Sequence, residues 1–524
     1  MLPPSPLANE LKLSRQSVRY ASALSPVYVA VVIAAVFGSL TTLASSTSSN
    51  DHGIGLFDSQ SDVGALRQPG VGVFDESSHT YTISSCGENM WLTADAFHFV
   101  WKKVSGNVTL AADIAFPRPG KNPHRKACLI VRQDLTPGSP YADVAVHGVG
   151  LTSLQFRDAK GGTTHEIQSA VDAPSRVRIE KIGDTATISV SGPDGNLHAS
   201  GGSVKLHLKG GYYVGLGVCS HEVDTVETAV FSNVELSAGL PTPTGTPTLQ
   251  STLETIAIAS TDRRVIRVAK EHFEAPNWSP DGKSLIYNGG GRLYRVPVAG
   301  GDPVEIDTGF ATRLNNDHGL SPDGQTLAIS DQSQDPHESM IYTVPVAGGT
   351  PVRITTNYPS YWHGWSPDGK TLAFCGRREG KFGIFTVPTT GGPETRLTTA
   401  VGLDDGPDYS PDGRYIYFNS DRTGLMQIWR IDANGTNPTQ ITSDGFNNWF
   451  PHISPDGKWM VILSYAEDVK GHPMNEDVTL RLMSLPDGTI RNLTRLFGGQ
   501  GTINVPSWSP DSKQLAFVSY QLVW

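Results

Sequence analysis

The chain has 524 residues, of which 38% are hydrophobic and 18% charged, with 55 glycines, 36 prolines and a formal net charge of −10. That length exceeds one ordinary core and suggests two to four domains. The Gly and Pro content suits many short strands joined by turns, and the lack of a basic excess argues against nucleic acid as a partner, because no surplus cations exist to neutralise phosphates.

Residues 1–20 carry Lys12, Arg15 and Arg19, and Pro26 to Ala44 form an uncharged apolar run. A basic stretch before an apolar core, followed by the small residues of Leu43 to Ser46, reads as an export signal. The run is also long enough to span a bilayer with its basic side in the cytoplasm. Residues 1–50 are therefore expected to be a signal peptide or an N-terminal membrane anchor with a spacer. On either reading the remainder is exported, periplasmic or anchored facing the periplasm.

Residues 54–237 alternate polar and apolar side chains without helical periodicity, as in Asn107–Phe116, Ala127–Arg132, Ala142–Val146 and Thr185–Val190. This predicts an all-β sandwich. Within it Trp91, Phe97, Phe99 and Trp101 either stack on sugar rings or fill the core of a half-buried strand. His124, Arg125, Asp143 and His147 are surface ligand candidates. The four cysteines, Cys86, Cys128, Cys219 and Cys375, lack metal-finger spacing; a Cys86–Cys219 bridge and four small buried thiols are both open. Residues 238–252, rich in Pro and Thr, read as a semi-extended linker.

From residue 253 onward Ser-Pro-Asp-Gly or a close variant recurs at Ser279, Ser321, Ser366, Ser410, Ser454 and Ser509, at intervals of 42, 45, 44, 44 and 55 residues. A repeat of roughly 40–50 residues with four short β-prone runs marks a propeller blade. Six blades are expected over 253–524. The last repeat ends two strands short, and Thr255–Ala259 with Arg264–Val268 supply the missing pair, closing the ring from both ends of the region.

In such a blade the loop entering the innermost strand lies at the channel mouth, opposite the Ser-Pro-Asp-Gly turns. Most entering loops place Pro three residues before the serine; blades two and three place His318 and His363 there, and His452 follows Pro451. Asp317, Asp405, Asp408, Asn316 and Asn504 share that rim. Imidazoles and carboxylates around one channel suit a divalent metal such as Mn, Zn or Ni, or a base beside a bound polyol; the bland alternative is a polar mouth whose histidines bond neighbouring backbone. The insertion Tyr465–Asp477 should overhang the rim with His472, Lys470, Asn475 and Glu476. Arg377, Arg378 and Arg422 form a candidate cationic patch for acidic sugars or acidic side chains of a partner.

The repeats resemble the TolB-type six-bladed propeller family, whose blades carry Trp-Ser-Pro-Asp-Gly before a hydrophobic strand; Gly413 to Arg430 looks like such a blade. That resemblance implies a periplasmic protein that engages envelope proteins. The histidines placed before the turns give a more distant similarity to oligogalacturonate lyases, which implies proton abstraction by one histidine and a divalent metal held by others, with His318, His363 and His452 as the positions that match. Residues 54–237 are similar to concanavalin-like sandwich domains. The favoured reading is an exported, envelope-associated propeller protein that binds a carbohydrate, such as an acidic oligosaccharide, or a protein partner at the channel face. The alternative is a metal-assisted lyase acting on uronic-acid oligosaccharides.

Overall fold

The computed structural model describes residues 54–524, which are all-β; no helix among them is long and apolar enough to cross a membrane. The expected signal or anchor in residues 1–50, including the apolar run 26–44, lies outside the described residues.

Two antiparallel sheets make up residues 54–240. One runs in the order Ser59–Val63, Ala94–Val104, Tyr212–Cys219, Lys126–Arg132, Tyr141–His147, Thr152–Arg157 and His165–Gln168. The other contains Thr185–Ser191, Arg176–Ile182, Asn107–Ala115, Glu227–Leu240, Thr80–Ser85 and Val71–Asp75. Leu129, Val144 and Leu154 of the first meet Leu110, Ile179 and Phe231 of the second in a single core, as period-two alternation requires. Phe97 and Phe99 are buried against the first sheet's outer face; they are core side chains and offer no sugar platform. The four cysteines are buried free thiols, so the Cys86–Cys219 bridge does not form.

The expected linker is shorter than its composition suggested. The strand Glu227–Leu240 runs into it and Thr248–Ala257 is already a propeller strand, leaving only residues 241–247 between them.

Five separate four-stranded blades follow, rather than six. Their inner strands are Phe273–Trp278, Leu314–Leu320, Ser360–Trp365, Asp404–Tyr409 and Asn447–Ile453, hereafter blades one to five. The sixth repeat forms no free-standing sheet. Its inner segment makes one bridge, Trp508 to Leu515. Gln514–Val523 pairs along its whole length with Thr248–Ala257, which pairs in turn with Arg263–Ala269. The reason is an edge: Arg263 and Arg264 pair in parallel with Ile167 and Gln168, so the sheet continues into the sandwich. An outer blade strand that would otherwise expose unpaired amides is thereby covered.

The ring is still joined across this position. Tyr520 Oη donates to Phe273 O of blade one at 3.3 Å, and Trp508 Nε1 donates to His452 O of blade five at 2.9 Å. Between Thr248–Ala257 and its neighbours, the buried carboxylate of Glu254 receives Arg263 Nε and Nη2 at 2.8 and 2.7 Å, and also Ser519 Oγ.

The recurring turn has a common wiring. In all six repeats the serine hydroxyl donates to the aspartate two residues on, at 2.6–2.7 Å, and accepts the amide five residues on, at 2.9–3.0 Å. The fourth residue has a φ near +70° in the first five turns, which favours glycine. In the sixth, Ser512 takes that position at φ 62°, and its hydroxyl accepts the amide of Asp456 at 3.0 Å.

Candidate functional site

The inner strands carry the site, and each is interrupted by a bulge before its turn. In blades one, four and five the residue before the proline, Ala275, Gly406 or Phe450, lies at positive φ. Blades two and three, where histidine replaces proline, have no such residue. In blade three His363 is itself the extra residue of the bulge, between Trp362 and Gly364. A bulge of this kind re-aims the side chain it carries, and His363 turns into the channel.

There a cavity of about 410 Å³ is lined from blades two to five and the sixth repeat. Its polar wall includes Asn316, Asp317, His363, Asp405, His472 and Asn504; Tyr361, Phe382 and Phe450 supply aromatic surface. The contributing segments are the loops entering the inner strands and those after the second strands, which places the cavity on the face opposite the Ser-Pro-Asp-Gly turns. A volume in the range of about 300–1,000 Å³, with mixed aromatic and convergent polar lining, is that of a small-molecule site.

Six of the expected residues meet here: Asn316, Asp317, His363, Asp405, His472 and Asn504. His363 Nε2 stands 3.3 Å from Asp405 Oδ1, and His472 Nε2 is 3.9 Å from Asp405 Oδ2. His472 reaches the rim from the blade-five insertion, as expected, and packs edge-on against Trp449 with ring centroids 4.4 Å apart. Lys470, Asn475 and Glu476 of that insertion are not among the lining residues.

The electrostatics follow from burial and from this pairing. Burial opposes charge on His363, but the carboxylates of Asp317 and Asp405 outweigh it and raise its pKa. Burial also opposes charge on Asp405, yet the hydrogen bond and charge of His363, with His472 beside it, hold that carboxyl well below its ordinary range. Asp317 is pushed up to about 7, mainly by burial and further by Asp405, with His363 opposing. Glu274 of blade one is pushed up to about 8 by burial and by Asp317, with a hydrogen bond from Asn316 opposing. Burial lowers the pKa of His472, against the pull of Asp405.

The other expected residues lie elsewhere. His318 is fully buried, its Nδ1 3.2 Å from Asn316 O, and burial pushes its pKa down to about 4. His452 ties three segments together: Nε2 donates to Ile503 O at 2.7 Å and Nδ1 lies 3.3 Å from Asp408 Oδ2. His452 and Asp408 therefore tie neighbouring segments together, whereas His318 Nδ1 bonds within its own strand. A divalent metal on His318, His363 and His452 does not fit, because only His363 faces the cavity; among the described residues no group of three or more His, Cys, Asp or Glu side chains could hold a metal ion.

The cationic patch is largely cancelled. Arg378 pairs with Glu394 at 2.9 Å and Arg422 with Asp404 at 2.7 Å; Arg377 is exposed and rests on the Phe382 ring. In the sandwich Arg125 is buried against Glu227 at 2.6 Å, and Asp143 and His147 are buried, so none of the three is a surface ligand group. His124 is exposed, beside the rings of His147 and His221.

Sequence reasoning passed over Gln332, Cys375, Phe382, Leu403, Phe450 and Gln500, all of which line the cavity. A signal for part of the wall was present. The position five residues before each turn serine holds Glu274, Asn316, Tyr361, Asp405, Trp449 and Asn504, and four of these six line the cavity.

Residues 362–490 match the TolB beta propeller domain model. An uncharacterized protein of Agrobacterium fabrum is 52% identical over 273 residues, which cover 52% of this chain and 93% of that protein. The structure of a putative TolB from Agrobacterium tumefaciens is 51% identical, covers 52% of this chain and 99% of that one, and aligns with a TM-score of 0.51. An oligogalacturonate lyase in complex with manganese is 17% identical over 47% of this chain and 67% of its own, with a TM-score of 0.32; that likeness bears on neither substrate nor metal here. With a relative of this identity spanned almost end to end, the chain belongs to the TolB-type β-propeller family.

Proposed function

We propose that the protein is a binding propeller of the bacterial envelope whose channel-mouth cavity receives a carbohydrate or a group presented by a protein partner. The observation that carries this reading is the cavity itself. Blades two to five and the sixth repeat each contribute to a wall of hydrogen-bonding groups with three aromatic rings, the composition that holds a compact polar ligand. Export to the periplasm, by a cleaved signal or with residues 26–44 as an anchor, accords with the basic-then-apolar N-terminal sequence and with the TolB resemblance.

An acidic oligosaccharide is the less favoured ligand, because no lysine or arginine lines the cavity. The test is a thermal-shift screen with neutral, amino and acidic saccharides and with isolated envelope proteins. A ligand of the cavity raises Tm by mass action, and the rise disappears in His363→Gln and Asp405→Asn while surviving in His318→Gln, which keeps a hydrogen-bonding side chain away from the site. Equal loss in His318→Gln, or a rise that none of the variants alters, places binding elsewhere. Release of an ultraviolet-absorbing unsaturated uronate from an acidic oligosaccharide replaces the binding reading with the lyase.

A further inference from the structure

Building on the cavity as a binding site, we propose that its ligand carries a protonated amine, seated between the carboxyl of Asp317 and the aromatic wall of Tyr361, Phe382 and Phe450. The carboxyls here outnumber the cations that pair with them directly. The Asp405 carboxylate is matched by His363 at 3.3 Å. Asp317 has no such partner: its Oδ2 accepts Asn315 Nδ2 at 3.0 Å, and no Lys, Arg or His nitrogen lies within ion-pair distance among the described residues. Yet Asp317 is 96% buried and lines the cavity. Glu274, hydrogen-bonded to Asn316 of the wall, has only His272 Nε2 at 3.8 Å, and burial lowers that imidazole's pKa.

The nearby arginines cannot fill the gap. Arg378 and Arg422 are bound to Glu394 and Asp404, and Arg377 stands in solvent on Phe382. Burial without a paired cation raises a carboxyl's pKa, and Asp317 is pushed up to about 7, so it is mostly protonated only below neutral pH. Besides Glu274, the titratable groups whose charge acts on Asp317 or is acted on by it are Tyr361, His363, Cys375 and Asp405. Of these, His363 alone can be cationic; its charge acts on Asp317 without an ion-pair contact, while its Nε2 stands 3.3 Å from Asp405.

Aromatic faces next to carboxylates bind ammonium groups through the ring quadrupole and through contact with the adjoining methylenes. A bare metal ion is not favoured, since among the described residues no group of three or more His, Cys, Asp or Glu side chains could hold one. The amine can come from an amino sugar or from a lysine side chain of a partner, and the chemistry at the cavity is the same.

The experiment is calorimetric titration of the full chain with two matched pairs: glucosamine against glucose, and lysine amide against its Nε-acetyl form. Each is run at pH 5.5, 6.5 and 8.0 in two buffers of different ionisation enthalpy. The amine of at least one pair binds at least tenfold more tightly than its neutral partner and releases about one proton at pH 6.5. Its affinity rises about tenfold between pH 5.5 and 6.5, because the carboxyl must ionise to receive it. Asp317→Asn, checked for an unchanged fold by circular dichroism, abolishes the proton release and weakens binding at least tenfold. Which pair responds tells a sugar amine from a side-chain amine. Equal binding of glucose and glucosamine without proton release overturns the amine and leaves the cavity as a binding site. Binding of neither amine overturns the amine, and a cavity ligand found in the saccharide and envelope-protein screen then shows that the broader reading survives it.

Discussion

His363 of blade three and Asp405 of blade four, the next blade, stand 3.3 Å apart, and each shifts the other toward its charged form. Two blades are thus joined by a buried pair at the point where the cavity opens. The sign of its pH dependence differs at the two ends. The raised pKa of His363 stabilises the fold below the ordinary value of 6.5, and that contribution is lost as pH rises through the folded value. The lowered pKa of Asp405 stabilises above 3.8 and is lost as pH falls through its folded value. The pair's contribution is greatest between those ordinary values. NMR titration of the His363 ring is expected to give a midpoint above 6.5 that drops when Asp405→Asn removes the partner; a midpoint unmoved by that substitution rules out the coupling.

Asp317 acts in the opposite sense. The folded state binds its proton more tightly than the unfolded chain does, so its contribution to stability falls as pH rises from 3.8 toward about 7. Asp317→Asn removes that liability. In the ligand-free protein the variant is expected to be more stable than the parent at pH 8, by on the order of 4 kcal/mol, and about equal near pH 4. Denaturant melts at the two pH values decide it, and a variant less stable at pH 8 contradicts the assignment.

Gly319 has no room for a side chain, because a Cβ there would stand 2.0 Å from Cη2 of Trp362. The missing side chain at Gly319 of blade two leaves the space that the blade-three indole fills. Gly319→Ala is expected to cost about 1–3 kcal/mol through overpacking. Combining it with Trp362→Leu should recover part of that loss, which a double-mutant cycle by chemical denaturation measures.

The buried pair of Glu254 with Arg263 sits where the propeller's closing strand meets the strand shared with the sandwich. Glu254→Ala leaves a buried guanidinium without its carboxylate and is expected to cost about 3–5 kcal/mol. The loss should appear in both the sandwich and the propeller, since one sheet runs through them. Hydrogen exchange followed in each region tests this; protection lost only in the propeller means that the shared sheet does not couple them.

The repeating unit was legible in the chain because it is local. Ser-Pro-Asp-Gly carries its own hydrogen bonds within six residues, and the strands on either side alternate with period two, so blade position, strand order and the channel face follow from spacing alone. Closure from both ends was legible too, because Gln514–Tyr520 stood without outer partners and Thr255–Val268 without inner ones. What the chain by itself could not decide were the interactions between segments far apart in sequence. The parallel pairing of Ile167 and Gln168 with Arg263 and Arg264 merges the sixth repeat with the sandwich, and no local pattern encodes an edge that finds its partner about a hundred residues away. The same limit applies to the site. Three histidines near the turns looked equivalent by alignment, yet bulges of different form turn His363 into the cavity, bury His318 beside Asn316 and set His452 between Ile503 and Asp408. A one-residue change in bulge geometry reverses the direction of a strand side chain, and only the packing of adjacent blades determines which direction is occupied.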